Sequence, residues 1–252
     1  MKGRLCAVFD MLKDNFCELY QKIFELNDLS EFVTDEIVEK MYLMSENMLS
    51  VNEHMNLTAI TDTADVICKH LADSVIAARY IPENSTVCDV GCGGGFPSLP
   101  LAIARPDLSI LGIDSTEKRI NYVNDAAKML NLNNLRAVAG RAEDLSRSEL
   151  RENFDICIAR AVANLPILSE LCIPFVKPGG TFIAMKGKYN AEEITKASVL
   201  LGAEAVSEEN TYKYYLKNSD SEEERCIFVM KKCRSTDLKY PRNYSQIKKN
   251  PL

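Results

Sequence analysis

Tryptophan is absent from this chain of 252 residues, histidine occurs only as His54 and His70, and no two cysteines share the Cys-x-x-Cys spacing of a zinc knuckle or dithiol centre. Cys88 and Cys92 lie four apart but lack histidine partners nearby, so no metal site is expected. Nine cysteines are an odd number, scattered through segments that read as strands and helices, including Cys17, Cys88, Cys157, Cys172 and Cys226. That is the pattern of reduced, buried thiols in a cytoplasmic protein. Long uncharged apolar runs are also missing: Asp10 interrupts the N-terminal one and no later segment could span a bilayer, so neither export nor membrane insertion is expected. Positive charge is scarce until the end. Basic and acidic residues number 5 and 11 in 1–60, 18 and 24 in 61–230, but 7 and 1 in 231–252. The tail is thus a basic arm able to meet phosphates, or simply a solvated terminus. The length suits one α/β domain with an extension better than two small domains.

What is present begins with helices. Leu5, Val8, Phe9, Leu12, Phe16, Leu19, Tyr20, Ile23 and Phe24 fall at helical spacing over 4–26. A second helix should start at Thr34 as N-cap and bury Ile37, Val38, Met41, Tyr42, Met44 and Met48, with the methionines as adaptable core rather than a groove. A third should run from about Ala64 to Tyr80. From Thr86 onward strands and helices alternate, which predicts parallel βαβ units in a doubly wound sheet. Strands are expected near 86–90, 109–113, 135–139, 154–158, 181–185, 212–216 and 226–231. Helices are expected near 117–130, 165–174 and 191–201, with Pro97 and Pro100 in the first turn of another. Lys177-Pro-Gly-Gly180 reads as a turn, Ser219 to Glu224 as an exposed acidic loop, and Lys239 to Leu252 as irregular.

Val87-Cys-Asp-Val-Gly-Cys-Gly-Gly-Gly-Phe-Pro97 reads as a buried strand, a glycine turn and a helix start, the arrangement that lets a backbone approach a ligand and offers it free N–H groups. A dinucleotide fingerprint needs glycine at its sixth position, where Phe96 stands, so a nicotinamide-dependent reductase is disfavoured. The spacing of Asp89, Gly91, Gly93 and Gly95 resembles motif I of class I S-adenosylmethionine-dependent methyltransferases. In an open α/β sheet a ligand lies beyond the carboxyl ends of the strands. Asp114 there could accept both hydroxyls of a ribose or cap the segment starting at Ser115. The turn Gly140-Arg-Ala-Glu-Asp144 could edge an adenine or be a plain capped turn. Arg160 could pair with a ligand carboxylate or an RNA phosphate, or form an ion pair with Asp155 or Glu143. No nucleophile with a base presents itself, and neither histidine is close to a strand end. An acceptor that is nucleophilic without deprotonation therefore fits, with alignment supplying the rate. A non-catalytic RNA-binding module is the remaining alternative.

Over residues 54–252 the chain resembles the RsmG (GidB) family of bacterial 16S ribosomal RNA guanine-N7 methyltransferases. The resemblance rests on Met55-Asn-Leu-Thr-Ala-Ile60, Lys69-His70 with Asp73-Ser74, Asp89 to Pro97, Asp114-Ser115, Gly140 to Glu143, Ala159-Arg-Ala-Val-Ala163, Lys177 to Gly180 and the closing Lys-Lys-Asn-Pro-Leu252. It implies a class I methyltransferase fold with a helical extension over 1–80, a methyltransferase domain over 81–238 and a basic tail over 239–252. It further implies S-adenosylmethionine held at Gly91, Phe96, Ala142, Glu143 and Arg160. Joined to the strand-end reading, the expected cofactor site is Asp89, Gly91, Gly93, Gly95, Phe96, Asp114, Ser115, Ala142, Glu143 and Arg160, with Arg160 also catalytic. The expected partner is 16S ribosomal RNA or the small ribosomal subunit, met by a cytoplasmic monomer. One departure stands out: Asn243-Tyr-Ser-Gln-Ile247 follows Tyr240-Pro-Arg242 where the family has a glycine and a proline.

Overall fold

The computed structural model describes residues 2–160, 163–187 and 197–252, with side chains from residue 13 onward. The expected apolar stripe at Leu5, Val8, Phe9 and Leu12, the pair Ala161 and Val162, and the first part of the helix expected over 191–201 lie outside the described side chains or residues.

Seven strands form one sheet in the order β3-β2-β1-β4-β5-β7-β6. They are β1 (Thr86–Val90), β2 (Ser109–Asp114), β3 (Leu135–Ala139), β4 (Phe154–Arg160), β5 (Val176–Lys186), β6 (Thr211–Lys217) and β7 (Glu222–Lys231). The first five are parallel, and β7 runs antiparallel to both its neighbours. The central strands are apolar on both faces, as a sheet covered on both sides requires. β2 and β4 run further than expected, so Asp114 and Arg160 are the last residues of their strands and inherit strand geometry. The Lys177–Gly180 turn falls within the span of β5. β7 takes in Glu222 to Glu224, and the acidic loop shrinks to a turn in which the Asn218 side chain accepts the N–H groups of Asp220 and Ser221.

Helices α1 (Lys2–Leu26) and α2 (Asp35–Met55) open the chain. Thr34 caps α2 by accepting the Ile37 N–H, and Met41, Met44 and Met48 are fully buried. The third expected helix is continuous but not uniform. It comprises α3 (Thr63–Asp65), a π-helical stretch over Val66–Ala72, α4 (Asp73–Ile76) and a 3-10 turn over Ala77–Tyr80. Tyr20, Phe24, Met44 and Ile67 of this extension share one hydrophobic core with Val87, Ile110, Ile158 and Ile183 of the sheet. Each such buried side chain contributes about 1.5–3 kcal/mol, so the extension is bound to the sheet by its core and not merely tethered.

The sheet is flanked by α5 (Ser98–Ala104), α6 (Glu117–Met129), the one-turn α7 (Ala142–Leu145), α8 (Leu165–Cys172) and α9 (Ala197–Leu200). Pro97 precedes α5 as its N-cap instead of lying in the first turn. The tail is not irregular: Asn243 caps a final helix, α10 (Tyr244–Lys249), by accepting the Gln246 N–H at 3.1 Å. Ile247 of α10 is fully buried in the second core, with Cys88, Cys157 and Cys172. The described cysteines are free thiols, most of them buried, although Cys17 is half-buried and Cys233 exposed. Among the described residues no helix is long and apolar enough to cross a membrane, and no group of three or more His, Cys, Asp or Glu could hold a metal ion.

Candidate active site

Beyond β1, β2 and β3 lies a cavity of about 210 Å³ that gathers Gly91, Asp114, Ser115, Ala142 and Glu143 from three separate strand ends, together with Tyr244 of α10. The glycine turn beneath it is closed differently from expectation. The N–H groups of Gly91 and Cys92 both donate to the Ile113 carbonyl, those of Gly95 and Phe96 to the Cys92 carbonyl, and Leu99 N–H to Gly95. With Pro97 and Pro100 lacking N–H groups, α5 offers no row of free donors to an anion. The glycines also differ in purpose. Gly95 has φ +89° and a Cβ there would sit 2.4 Å from Leu99 Cδ1, so it is required by the packing of α5. Gly93 has φ +53°, and a Cβ there would meet nothing nearer than the Gly91 carbonyl oxygen at 3.9 Å, so its space is open.

Two carboxylates frame the turn. Asp114 accepts the Gly93 N–H at 3.1 Å and the Thr116 N–H at 2.8 Å, one on each oxygen. It therefore joins the turn to β2 and ties down Thr116, the N-cap residue of α6, without itself capping that helix, and each oxygen keeps a lone pair for a ligand hydroxyl. Asp89 is completely buried. Its Oδ2 receives the Ser98 hydroxyl, while Oδ1 has no hydrogen-bond partner among the described residues. Burial pushes this carboxyl up to about 7, against the opposing pull of Ser98. A buried, unpartnered carboxylate oxygen at the end of β1 suits a cationic group such as an ammonium.

Arg160, at the end of β4, pairs with neither Asp155 nor Glu143. Asp155 is held instead by Lys177 and Thr86. The Arg160 guanidinium donates through Nη1 to the Lys69 carbonyl at 2.9 Å and to Asp73 Oδ2 at 3.0 Å, and it lies 5.3 Å from the Phe96 ring centre. Its Nη2 is 3.2 Å from His70 Nδ1. His70 is thus close to a strand end after all, carried there by the helical extension, and its ring stacks on Phe96 with centres 4.4 Å apart. Because a guanidinium has only hydrogens to offer, Nδ1 must accept, which leaves Nε2 to donate to Thr58 Oγ1 at 2.7 Å. Burial, helped by the Arg160 charge, holds His70 down at about 3, so the ring is neutral with both nitrogens engaged.

Asp73 ties this cluster to the far edge of the sheet. Its Oδ1 accepts the Tyr214 hydroxyl at 2.9 Å, and Arg225 Nε lies 3.9 Å away. A cavity of about 350 Å³ opens here, lined by Ile60, Lys69, Arg160, Met185, Lys186 and Arg225. Thr58, His70, Asp73, Tyr214 and Arg225 carry no individual signal at the strand ends. Lys69-His70 and Asp73 were visible only as part of a motif, without a position in space.

A sheet of this order, with a glycine turn after β1 and a carboxylate ending β2, defines a class I S-adenosylmethionine-dependent methyltransferase fold. Solved structures agree: the chain is similar to an O-methyltransferase from Bacillus cereus in complex with SAH (TM-score 0.51, 17% identity, covering 75% of this chain and 91% of that one). It is also similar to a putative methyltransferase from Bacillus halodurans (TM-score 0.50, 13% identity, covering 65% of this chain and all of that one). The family model GidB, rRNA small subunit methyltransferase G, matches residues 37–226. Ribosomal RNA small subunit methyltransferase G of Lactobacillus helveticus is 38% identical over 91% of this chain and 97% of its own length; that of Bacillus cytotoxicus is 43% identical over 85% and 90%. The chain belongs to this family and is a ribosomal RNA methyltransferase.

Proposed function

We propose that the chain transfers a methyl group from S-adenosylmethionine to nitrogen 7 of a guanine in 16S ribosomal RNA, acting in the cytoplasm as a monomer without a metal. When bound, the cofactor supplies a methyl group on a positively charged sulfur. Asp89 Oδ1, the open space at Gly93, Ser115 beside Asp114, and Ala142 with Glu143 would hold it. The orphaned buried carboxylate oxygen suits its ammonium, and the spare lone pairs of Asp114 suit its ribose.

The observation that carries the choice of acceptor is the state of His70. With Nδ1 accepting from Arg160 and Nε2–H donating to Thr58, it has no lone pair for an incoming proton. Asp73 is likewise committed to Arg160 and Tyr214. An acceptor that brings its own lone pair, as the imidazole-type nitrogen of guanine does at neutral pH, needs no base, and the chain's contribution is then positioning and desolvation. Arg160, fixed by three partners, orients the reacting groups, while Lys186, with Lys69 and Arg225 to the extent that the Glu223 they share leaves them charge, faces the RNA backbone.

The test is to incubate the protein with labelled S-adenosylmethionine and small-subunit RNA, either naked or in assembling subunits, then digest and identify the nucleoside. The expected product is 7-methylguanosine, with a single-turnover rate nearly flat across neutral pH. Another methylated nucleoside would refute the acceptor assignment. A steep pH dependence of the chemical step would require a base that His70 does not provide.

A further inference from the structure

The C-terminal tail shares a wall with the cofactor cavity, although its charge suggests an RNA arm. Tyr244, the first residue of α10, is the sole aromatic among the described residues lining that cavity. The other described lining groups supply polar edges and small surfaces, and among them only Leu171 and the strand-end Val90 and Ile113 are bulky and apolar. A purine buried there needs a flat face as well as edges. We propose that Tyr244 is the residue that recognises the adenine of the cofactor by its ring face, and that the tail's docking exists to hold it there. This rests on the assignment of S-adenosylmethionine to the cavity.

The placement of the ring is built, not incidental. Ile247, one turn along α10, is completely buried, and Tyr240 and Leu252 pack against the same core. The backbone N–H and Nε of Arg242 each donate to Glu170 Oε1 at 2.8 Å, and Nη2 donates to Oε2 at 2.6 Å, with Glu170 fully buried in α8. Arg151 holds the carbonyls of Thr236 at 2.8 Å and Tyr240 at 3.0 Å from the opposite side. The Arg141 guanidinium lies over one face of the Tyr244 ring, 5.9 Å from its centre, and Arg141 begins the turn that carries Ala142 and Glu143. The ring is thereby tied to the segment assigned to the adenine edge. The chain spends Arg242 on this docking, and Lys239 pairs with Asp237. Tyr244 itself stays 38% exposed, as a cavity wall open to a ligand would be.

The experiment is calorimetric titration of the full chain with S-adenosylhomocysteine, repeated with 5′-methylthioadenosine, which keeps the adenosine and lacks the amino-acid end. Tyr244→Phe should bind both as the wild type does. Tyr244→Ala and Tyr244→Leu should bind both about tenfold more weakly, since a lost aromatic face on a base is worth roughly that ratio. Thermal melts without ligand should barely change, because the ring is partly exposed. Lys248→Ser with Lys249→Ser, which alters the same helix on its solvent side, should leave both affinities unchanged. Wild-type affinity in Tyr244→Leu or in Tyr244→Ala would overturn the role of the ring. A wild-type protein that binds neither ligand would instead overturn the cofactor assignment, and this proposal with it.

Discussion

The cavity over β1 to β3 is walled by groups at the ends of neighbouring strands and carries both signs of charge in equal number, whereas the cavity over β4 and β5 draws on the helical extension and β7 and carries an excess of cations. Asp114 and Glu143 line the first together with Arg119 and Arg141; Lys69, Arg160, Lys186 and Arg225 line the second together with Asp73. The electrostatics therefore divide the labour before any ligand arrives. One side suits a small molecule that bears charges of both signs, and the other suits a polyanion.

Gly93→Asp strikes the first cavity hardest. A further carboxylate placed beside Asp114, in space now open, should weaken S-adenosylhomocysteine binding beyond calorimetric detection. The fold should survive at a cost of about 1–2 kcal/mol for a left-handed non-glycine residue. Intact affinity would detach the glycine turn from the cofactor. Arg160→Ala tests the second cavity. It removes the donor shared by Lys69, His70 and Asp73, and should lower the single-turnover methyl transfer rate by about 100-fold, the scale on which misplacement acts in an alignment-driven reaction. Arg160→Lys should not restore the rate, because one ammonium cannot reproduce the forked contacts; full rescue would show that charge alone matters. Asp114→Asn, which preserves size, should weaken cofactor binding by about 1–3 kcal/mol. A loss of melting temperature with unchanged affinity would reduce Asp114 to a residue that braces the turns at Gly93 and Thr116.

A smaller effect separates the two sides by pH. His70 is held near 3 in the folded protein against an ordinary value of 6.5, so the unfolded chain takes up the proton first. Its contribution to stability is present above 6.5 and should fade as pH falls from 6.5 towards 3. His70→Gln should show a shallower decline of unfolding free energy over that window, and parallel curves for the two proteins would contradict the assigned buried neutral state. The smallest effect belongs to the tail. Lys248 and Lys249 are exposed, and replacing both with serine should flatten the slope of log RNA affinity against log salt by roughly 1–2. An unchanged slope would mean that neither lysine reaches a phosphate.

This division also explains which parts were legible in the sequence. The bounds of β1 and β3 followed from apolar runs between turn residues, and the candidates Asp89, Gly91, Asp114, Ala142 and Glu143 followed from strand ends, because a parallel sheet delivers those positions to one edge whatever the rest of the chain does. Phe96 and Arg160 were placed at the site, but their partners were not. His70 sits on a helix more than eighty residues from Arg160, and no local pattern encodes that meeting. The tail misled for a related reason: charge counts do not show that Arg242 is answered by the buried Glu170. Nor does its composition reveal the helix made by the Asn243 cap together with Ile247. The extension was legible as helices through its periodicity, yet its fusion to the sheet in one core depends on contacts that no window of sequence contains.

The π-helical stretch Val66–Ala72 has a further consequence. A wider turn than the α-helix advances each residue by a smaller angle, so an added residue is absorbed without lengthening the element by a full step. Here that slack lets the Lys69 carbonyl, the His70 ring and, just beyond, the Asp73 carboxylate all face one guanidinium. The feature stores information as chain length instead of residue identity. A protein with one residue deleted between 66 and 72, and every named side chain kept, would wind that stretch as an ordinary helix and turn its two halves out of phase. Arg160 would then face a different set of neighbours, so lineages of this chain should accept substitutions here far more readily than gaps.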